Sequence, residues 1–248
     1  IESFKKICND DNKYMALTNG FDSDDLKRIM KENNFDDKFL DDKLPEKTKN
    51  YFWIVYTGRF YPGSGGDLEP FAKVLSLLKT NQPFVYAKVK FVYAGSQSNY
   101  VESVFNDYEI KDSLIDCGQV SRDDALRLQS KGDLLLLVSY TGKEQSQGSG
   151  MITGKVFEYF MHLKPILVIG SEQWELKKEL LADGKSAIYQ VGQEDKIADY
   201  IAELINDSEI KDIKSDERIK NVREVYSYEK LAQQLLKKLE KLTGKKKD

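Results

Sequence analysis

The sequence predicts an α/β fold, a doubly wound parallel sheet of about six strands, and three observations predict it. From Tyr51 onward, short apolar runs alternate with longer amphipathic ones, the rhythm of strand–helix–strand units. Runs such as Leu134–Val138 are apolar without alternation, as strands covered on both faces require. Helix-start chemistry falls between the runs: Ser121 precedes a helical stretch with Asp124 three residues on, and Asp67 is placed to cap the helix that contains Pro70.

In chain order, the first fifty residues are rich in Asp, Asn and Lys and cannot make a domain alone. They hold one weak helix, Asp24–Glu32, and a polar linker, Asp36–Asn50. Strands are expected at Tyr51–Thr57, Val89–Ala94, Leu114–Cys117, Asp133–Ser139, Pro165–Ile169 and Ala187–Val191. Helices are expected at Asp67–Lys79, Asn99–Asp107, Arg122–Ser130, Gly154–His162, Glu172–Ala182 and Glu194–Ile205. The last helix, Ser227–Thr243, sets Leu231, Leu235, Leu239 and Leu242 at helical spacing among lysines, the pattern of a surface helix with one buried stripe. The chain thus divides into 1–50, 51–226 and 227–248.

Composition excludes several classes. Acidic and basic residues nearly balance, 41 against 38, so no global field favours nucleic acid or an anionic membrane. The lysine run Lys245–Lys247 reads as a solvated end, with a weak peripheral membrane contact as the alternative. Cys8 and Cys117 are far apart, which fits a reducing compartment. No apolar run approaches the roughly 18 residues of a membrane span, and the expected location is cytoplasmic. The chain opens at Ile1 rather than Met, the pattern of a processed product or an excised piece.

In an open parallel sheet, ligands bind beyond the carboxyl ends of the strands. Four segments lie there: Gly58–Gly66, Gly95–Asn99, Gly118–Arg122 and Tyr140–Thr153. The stretch GSGMITGKVFEY, Gly148–Tyr159, is the most informative. It fails as a phosphate-binding P-loop, because Ser149 stands where the first glycine is needed and Val156 where a hydroxyl must ligate magnesium. It also fails as a dinucleotide fingerprint, with Thr153 at the third glycine. What remains is physical. Lys155 occupies the first turn of a helix, where a cation is disfavoured by roughly 0.3–1 kcal/mol unless an anion sits beside it. Backbone N–H groups over Thr153, Gly154, Lys155 and Val156 supply an anion seat. Glu158, one turn on, suits the vicinal hydroxyls of a ribose, so the implied ligand is a nucleotide. The competing reading is an exposed Lys155–Glu158 ion pair worth a few tenths of a kcal/mol. Arg59, directly after Gly58 at the first strand end, adds a second cation suited to phosphate oxygens. His162, the only histidine, is assigned to packing. A zinc site or a Ser-His-Asp triad has too little material, so no metal is expected and the catalytic residue is unassigned.

Four stretches in order, YTGRFYPG, KFVYAGS, GQVSRDDALRLQSKGDLLLLVS and GSGMITGKVFEYFMHLKPILVIG, resemble the C-terminal domain of GT-B-fold glycosyltransferases, near glycosyltransferase family 4 (group 1). The resemblance runs from about Tyr51 to the C-terminal helix. It implies that this chain is the Rossmann-like C-terminal half of a GT-B fold, binding a nucleoside diphosphate sugar for transfer to an acceptor in polysaccharide or glycoconjugate synthesis. Carried over by position, Gly58 and Arg59 face the diphosphate, Thr153, Gly154 and Lys155 hold phosphate, Glu158 binds ribose, Val120 and Arg122 border the base, and Ser149 and Gly150 approach the donor sugar. MALTNGFDSDDL resembles the stretch that closes the acceptor-binding domain, so residues 1–50 would end that domain and form the linker. The acceptor, a glycan or a lipid-linked glycan, would bind a domain absent from these residues. The final helix would cross back towards it, and this chain alone would be inactive. Protein work would then take place in the cytoplasm or at the inner membrane surface, with no cofactor beyond the donor.

Two departures stand out. Many relatives place a second glutamate eight residues before the ribose-binding one, and here that position is Gly150. Many also carry a lysine shortly after the Gly-Arg pair, where this chain has Pro62, Gly63 and Ser64. Two alternatives stay open beside glycosyl transfer: a GT-B-like sugar-nucleotide epimerase, and a non-catalytic α/β binding domain in which Lys155 and Glu158 only pair with each other.

Overall fold

The computed structural model describes residues 15–31, 44, 51–142, 152–206 and 217–243. Six strands form one all-parallel sheet: β1 Phe52–Thr57, β2 Val89–Ala94, β3 Leu114–Asp116, β4 Leu134–Val138, β5 Ile166–Ile169 and β6 Ala187–Tyr189. Their spatial order is β3-β2-β1-β4-β5-β6. The expected doubly wound, Rossmann-like sheet is therefore present. β1 and β2 pair over their whole length, Phe52 with Val89 through Thr57 with Ala94, and β4 joins the other side of β1 with Ile54 opposite Leu134. The order reverses between β1 and β4, which makes that gap the topological switch point.

The two-residue period of the strands divides the core. Ile54 and Tyr56 of β1 face a layer containing Phe91, Leu136 and Ile169, covered by α2 (Glu69–Asn81), α4 (Ser98–Asp107) and α8 (Glu194–Asn206). Trp53 and Val55 face the opposite layer, with Leu135, Leu137 and Val168, covered by α5 (Arg122–Lys131) and α6 (Lys155–Met161). Strands apolar on both sides are what this geometry demands. Residues ahead of β1 join the second layer: Phe21 and Ile29, the latter on α1 (Ser23–Lys31), are buried there. Phe21 also bridges to Ser227, just before α10 (Tyr228–Thr243).

Several expectations change. Asp67 does not cap α2; that position is Leu68, with no side-chain bond. The Asp67 carboxylate instead accepts from Gly63 N and Thr141 Oγ1, at 2.7 and 2.9 Å, tying the β1 and β4 loops together. Ser121 does cap α5, accepting from Asp124 N at 3.1 Å. The continuous helix expected over Glu172–Ala182 is only α7, Lys177–Leu180, followed by a 3-10 turn, Leu181–Asp183. Trp174 and Leu176 are both buried, and side chains two apart point to opposite sides of a helix, so this stretch turns instead. Two helices carry no expectation: α3, Pro83–Tyr86, and α9, Glu217–Glu224. α9 is anchored by Arg223, which pairs with Asp183 in a fully buried contact and donates to Lys164 O. The leucine stripe of α10 is not wholly buried. Leu231 is, whereas Leu235, Leu239 and Leu242 are exposed. No helix among the described residues is long and apolar enough to cross a membrane.

Candidate functional site

β1 ends at Thr57 and turns sharply at Gly58, whose φ of +109° favours glycine. Gly58 N donates to Ala94 O at 2.7 Å, so the turn is tied to the end of β2. Beyond it, Phe60 folds back to stack on Tyr56 with ring centroids 4.0 Å apart. Tyr56 Oη donates to Arg59 O at 2.7 Å. The loop that carries Arg59 is thus fixed by aromatic packing while the Arg59 residue itself stays exposed.

Lys155 opens α6 and reaches across to this turn. Its Nζ donates to Thr57 O and lies over the Tyr56 ring, 4.0 Å from the centroid. A Cβ added to Gly58 would come within 2.7 Å of Lys155 Nζ, so glycine is needed there for its backbone angle and also leaves room for the lysine tip to rest where it does. Lys155 is half-buried as a residue, and its ammonium is packed between that carbonyl and the ring. Burial lowers the Lys155 pKa to about 8, with Glu158 pulling weakly the other way. Beneath the lysine, Thr57 Oγ1 accepts from Gln129 Nε2 at 2.8 Å, and Gln129 Oε1 meets His162 Nε2 at 2.9 Å. His162 is accordingly buried in a polar chain behind the site, as its packing assignment requires.

The α6 start differs in detail from a row of open donors. Val156 N and Phe157 N bond back to Thr153 O and Gly154 O, both at 3.2 Å. Among the described residues, Gly154 N and Lys155 N have no acceptor. Thr153 Oγ1 is buried with no partner, which is uncommon enough to want an explanation. These groups converge with Arg59 on a cavity of about 470 Å³, lined by Tyr56, Arg59, Tyr61, Ser64, Gly65 and Gly66 from the β1 side and by Val138, Ser139, Thr153, Gly154 and Lys155 from the other. The cavity opens at the switch point between β1 and β4.

The Lys155–Glu158 ion pair is absent. Glu158 Oε1 accepts from Arg122 Nη1 at 2.8 Å, and Arg122 Nη2 donates to Asp25 Oδ2 at 2.8 Å. The reason is geometric: the Lys155 ammonium is drawn inward to Thr57 O and the Tyr56 face, leaving Glu158 to a cation from α5. Val120 lies just before α5 and packs on the core. Arg122 and Glu158 therefore meet each other to the side of the cavity, not on its lining. Ser149 and Gly150 lie outside the described residues. Among the described residues no group of three or more His, Cys, Asp and Glu side chains is arranged to hold a metal ion.

Sequence reasoning missed Tyr56, Thr57, Asn19 and Asp25. A polar Thr57 ending an apolar strand was the available signal for the first pair. Nothing in spacing pointed to Asn19, whose amide nitrogen lies 2.9 Å from where a Cβ on Gly154 would be.

No family model matches the chain, and no curated protein does. Solved structures do. Sucrose-phosphate synthase from Thermosynechococcus elongatus superimposes with a TM-score of 0.66 at 12% identity, over 98% of this chain and 56% of that one. A glycosyltransferase from Rickettsia africae gives 0.65 at 13%, over 96% and 59%. The Anabaena protein HepE in complex with UDP gives 0.61 at 14%, over 92% and 57%. The chain spans less than two thirds of each of these structures. What the likeness establishes is the fold: a Rossmann-like α/β domain with an all-parallel six-stranded sheet, of the type found in GT-B glycosyltransferases.

Proposed function

We propose that this chain is the donor-binding half of a glycosyltransferase and takes a nucleoside diphosphate sugar in the cavity at the switch point. The observation that carries the reading is the convergence there of Arg59, the enclosed Lys155 ammonium, the unengaged N–H groups of Gly154 and Lys155, and the unpartnered Thr153 hydroxyl. Each is a donor or a cation, and together they suit a diphosphate. Support also comes from a structural neighbour in complex with UDP.

In this reading, negative charge grows on the departing diphosphate as the glycosyl bond breaks, and donors already in place stabilise it. Lys155 answers that charge strongly because packing against Thr57 O and the Tyr56 ring has already stripped part of its water. Arg59, more exposed, closes on the outer oxygens. The positive charge comes from side chains, so the reading assigns no metal. Glu158 accepts from the ribose hydroxyls, and Val120 and Arg122 border the base. Residues 1–50 end an acceptor-binding domain and lead through a linker, that domain receives a glycan or lipid-linked glycan, and the work is done in the cytoplasm or at the inner membrane surface. The same chain alone is then incomplete for catalysis.

Neither alternative gains from the structure. An epimerase wants free acid and base groups at the sugar, and the one histidine is hydrogen-bonded to Gln129 behind the site. The non-catalytic reading rested on a Lys155–Glu158 pair, and Glu158 pairs with Arg122.

Calorimetric titration of the chain with UDP, GDP and ADP tests the proposal. One nucleotide should bind, and Lys155→Ala should weaken it at least tenfold while the fold, followed by circular dichroism, persists. Absence of heat with all three would sink the idea.

A further inference from the structure

Arg122 makes an unusual contact for an exposed arginine. One arm, Nη1, donates to Glu158 Oε1 on α6, and the other, Nη2, donates to Asp25 Oδ2 on α1, each at 2.8 Å. Asp25 is itself largely covered, at 13% side-chain exposure, and accepts from Arg28, which reaches Asp123 beside Arg122. Three elements far apart in sequence are joined through one planar guanidinium. Such exposed pairs contribute only about 0–1 kcal/mol each to stability, so their consequence lies in position more than in folding energy. A guanidinium holds two carboxylates at fixed angles, which a single ammonium cannot do.

We infer that Arg122 is a positioning residue for Glu158, held in place from the far side by Asp25, and that the aligned carboxylate selects ribonucleotides over 2′-deoxyribonucleotides. The inference rests on the nucleotide reading above. Arg122 occupies Oε1, and among the described residues nothing else engages Glu158, so Oε2 is open to accept from a sugar hydroxyl. Without Arg122 the glutamate is released to rotate into solvent. The segment before the linker becomes part of the site by this route. Asn19 at Gly154 and Asp25 behind Arg122 bracket the two ends of the α6 turn that carries Lys155 and Glu158.

The measurement is a ratio of affinities. The chain is titrated with UDP, GDP and ADP and with their 2′-deoxy counterparts, in the wild type, Arg122→Ala, Arg122→Lys, Asp25→Asn and Glu158→Gln. The wild type should prefer the ribonucleotide about tenfold, the scale of one hydrogen bond to a charged acceptor. Glu158→Gln and Arg122→Ala should each bring the ratio close to one, and their double variant should lower it no further. Arg122→Lys and Asp25→Asn should fall between. Loss of a positive charge acting only at long range on an anionic nucleotide would weaken the ribo and deoxyribo forms alike and leave the ratio unchanged, so an unchanged ratio in Arg122→Ala overturns the positioning role while the nucleotide reading stands. Tighter ribonucleotide binding by Arg122→Ala overturns it too, since Arg122 would then be a competitor for Glu158. A wild type that binds without sugar preference removes the role of Glu158, and one that binds no nucleotide removes both proposals. Arg122 is exposed, so equal melting temperatures should accompany the variants and rule out unfolding as the cause.

Discussion

The two ends of the first turn of α6, at Lys155 and at Glu158, are built on opposite principles. At the Lys155 end the ammonium packs against Thr57 O and the Tyr56 ring, above a buried Thr57–Gln129–His162 chain. At the Glu158 end, Arg122, Glu158 and Asp25 pair with side-chain exposures of 58, 29 and 13%. Burial raises the strength of a charge and its cost to folding together. Exposure lowers both, and leaves geometry as the main contribution. The first end should therefore be expensive to keep and decisive for affinity, and the second cheap to keep and decisive for selectivity.

The largest expected effect comes from Lys155→Met. It removes an ammonium whose pKa burial holds near 8, well under its unperturbed 10.5. Below pH 8 the folded protein bears the full cost of that buried charge, so the variant should unfold less readily, by up to about 3 kcal/mol in urea titrations at pH 7. It should also lose nucleotide binding. The same pair of proteins gives a pH test. Between about pH 8 and 10.5 the unfolded wild type binds more protons at this group than the folded one, so wild-type stability should rise with pH relative to the variant. UDP affinity should fall over the same range as Lys155 loses its charge. Parallel stability curves for the two proteins would mean that the ammonium is not enclosed.

Gly58→Ala ranks next. A Cβ there meets both a backbone at φ +109° and Lys155 Nζ at 2.7 Å. A loss of about 2 kcal/mol in unfolding free energy is expected, mostly from the backbone angle, together with weakened UDP binding because the lysine tip must move. Gln129→Leu should cost about 1–2 kcal/mol, since it strips the Thr57 hydroxyl and His162 Nε2 of their shared partner. Its effect on UDP affinity should exceed that of a comparably destabilising substitution such as Ile201→Val, buried on α8. At the other end, Arg122→Ala should change unfolding free energy by no more than about 0.5 kcal/mol. A larger loss there would erase the contrast between the two ends.

The strands were legible because they are buried on both faces: uninterrupted apolar runs as short as Leu134–Val138 and Ile166–Ile169, set between amphipathic helical stretches, fit covered parallel strands better than helices of such length. Helices with one apolar stripe, such as α2 and α8, were nearly as clear. Glu172–Ala182 misled because its composition is helical while Trp174 and Leu176 are pulled into the same core. Helix α9 was invisible: besides one buried apolar residue, Ile219, what holds Glu217–Glu224 is a buried arginine paired with Asp183, 40 residues away, and local pattern carries no trace of such a partner. The leucines of α10 show the converse, a correct helix whose stripe is covered only at Leu231.

By itself the sequence determined the layering of strands and helices, and with it the side of the sheet on which Gly58, Arg59, Lys155 and Glu158 emerge, because hydrophobic period and the chirality of strand–helix–strand crossovers leave few other arrangements. Only the tertiary structure decided how those groups are partnered. Lys155 turned from Glu158 to a backbone carbonyl and an aromatic face, and Glu158 took an arginine 36 residues away, itself held by an aspartate 97 residues from it. Short-range spacing offers a lysine and a glutamate each other, whereas packing sets the dielectric and the distances, and those choose which charge is enclosed and which is left in water.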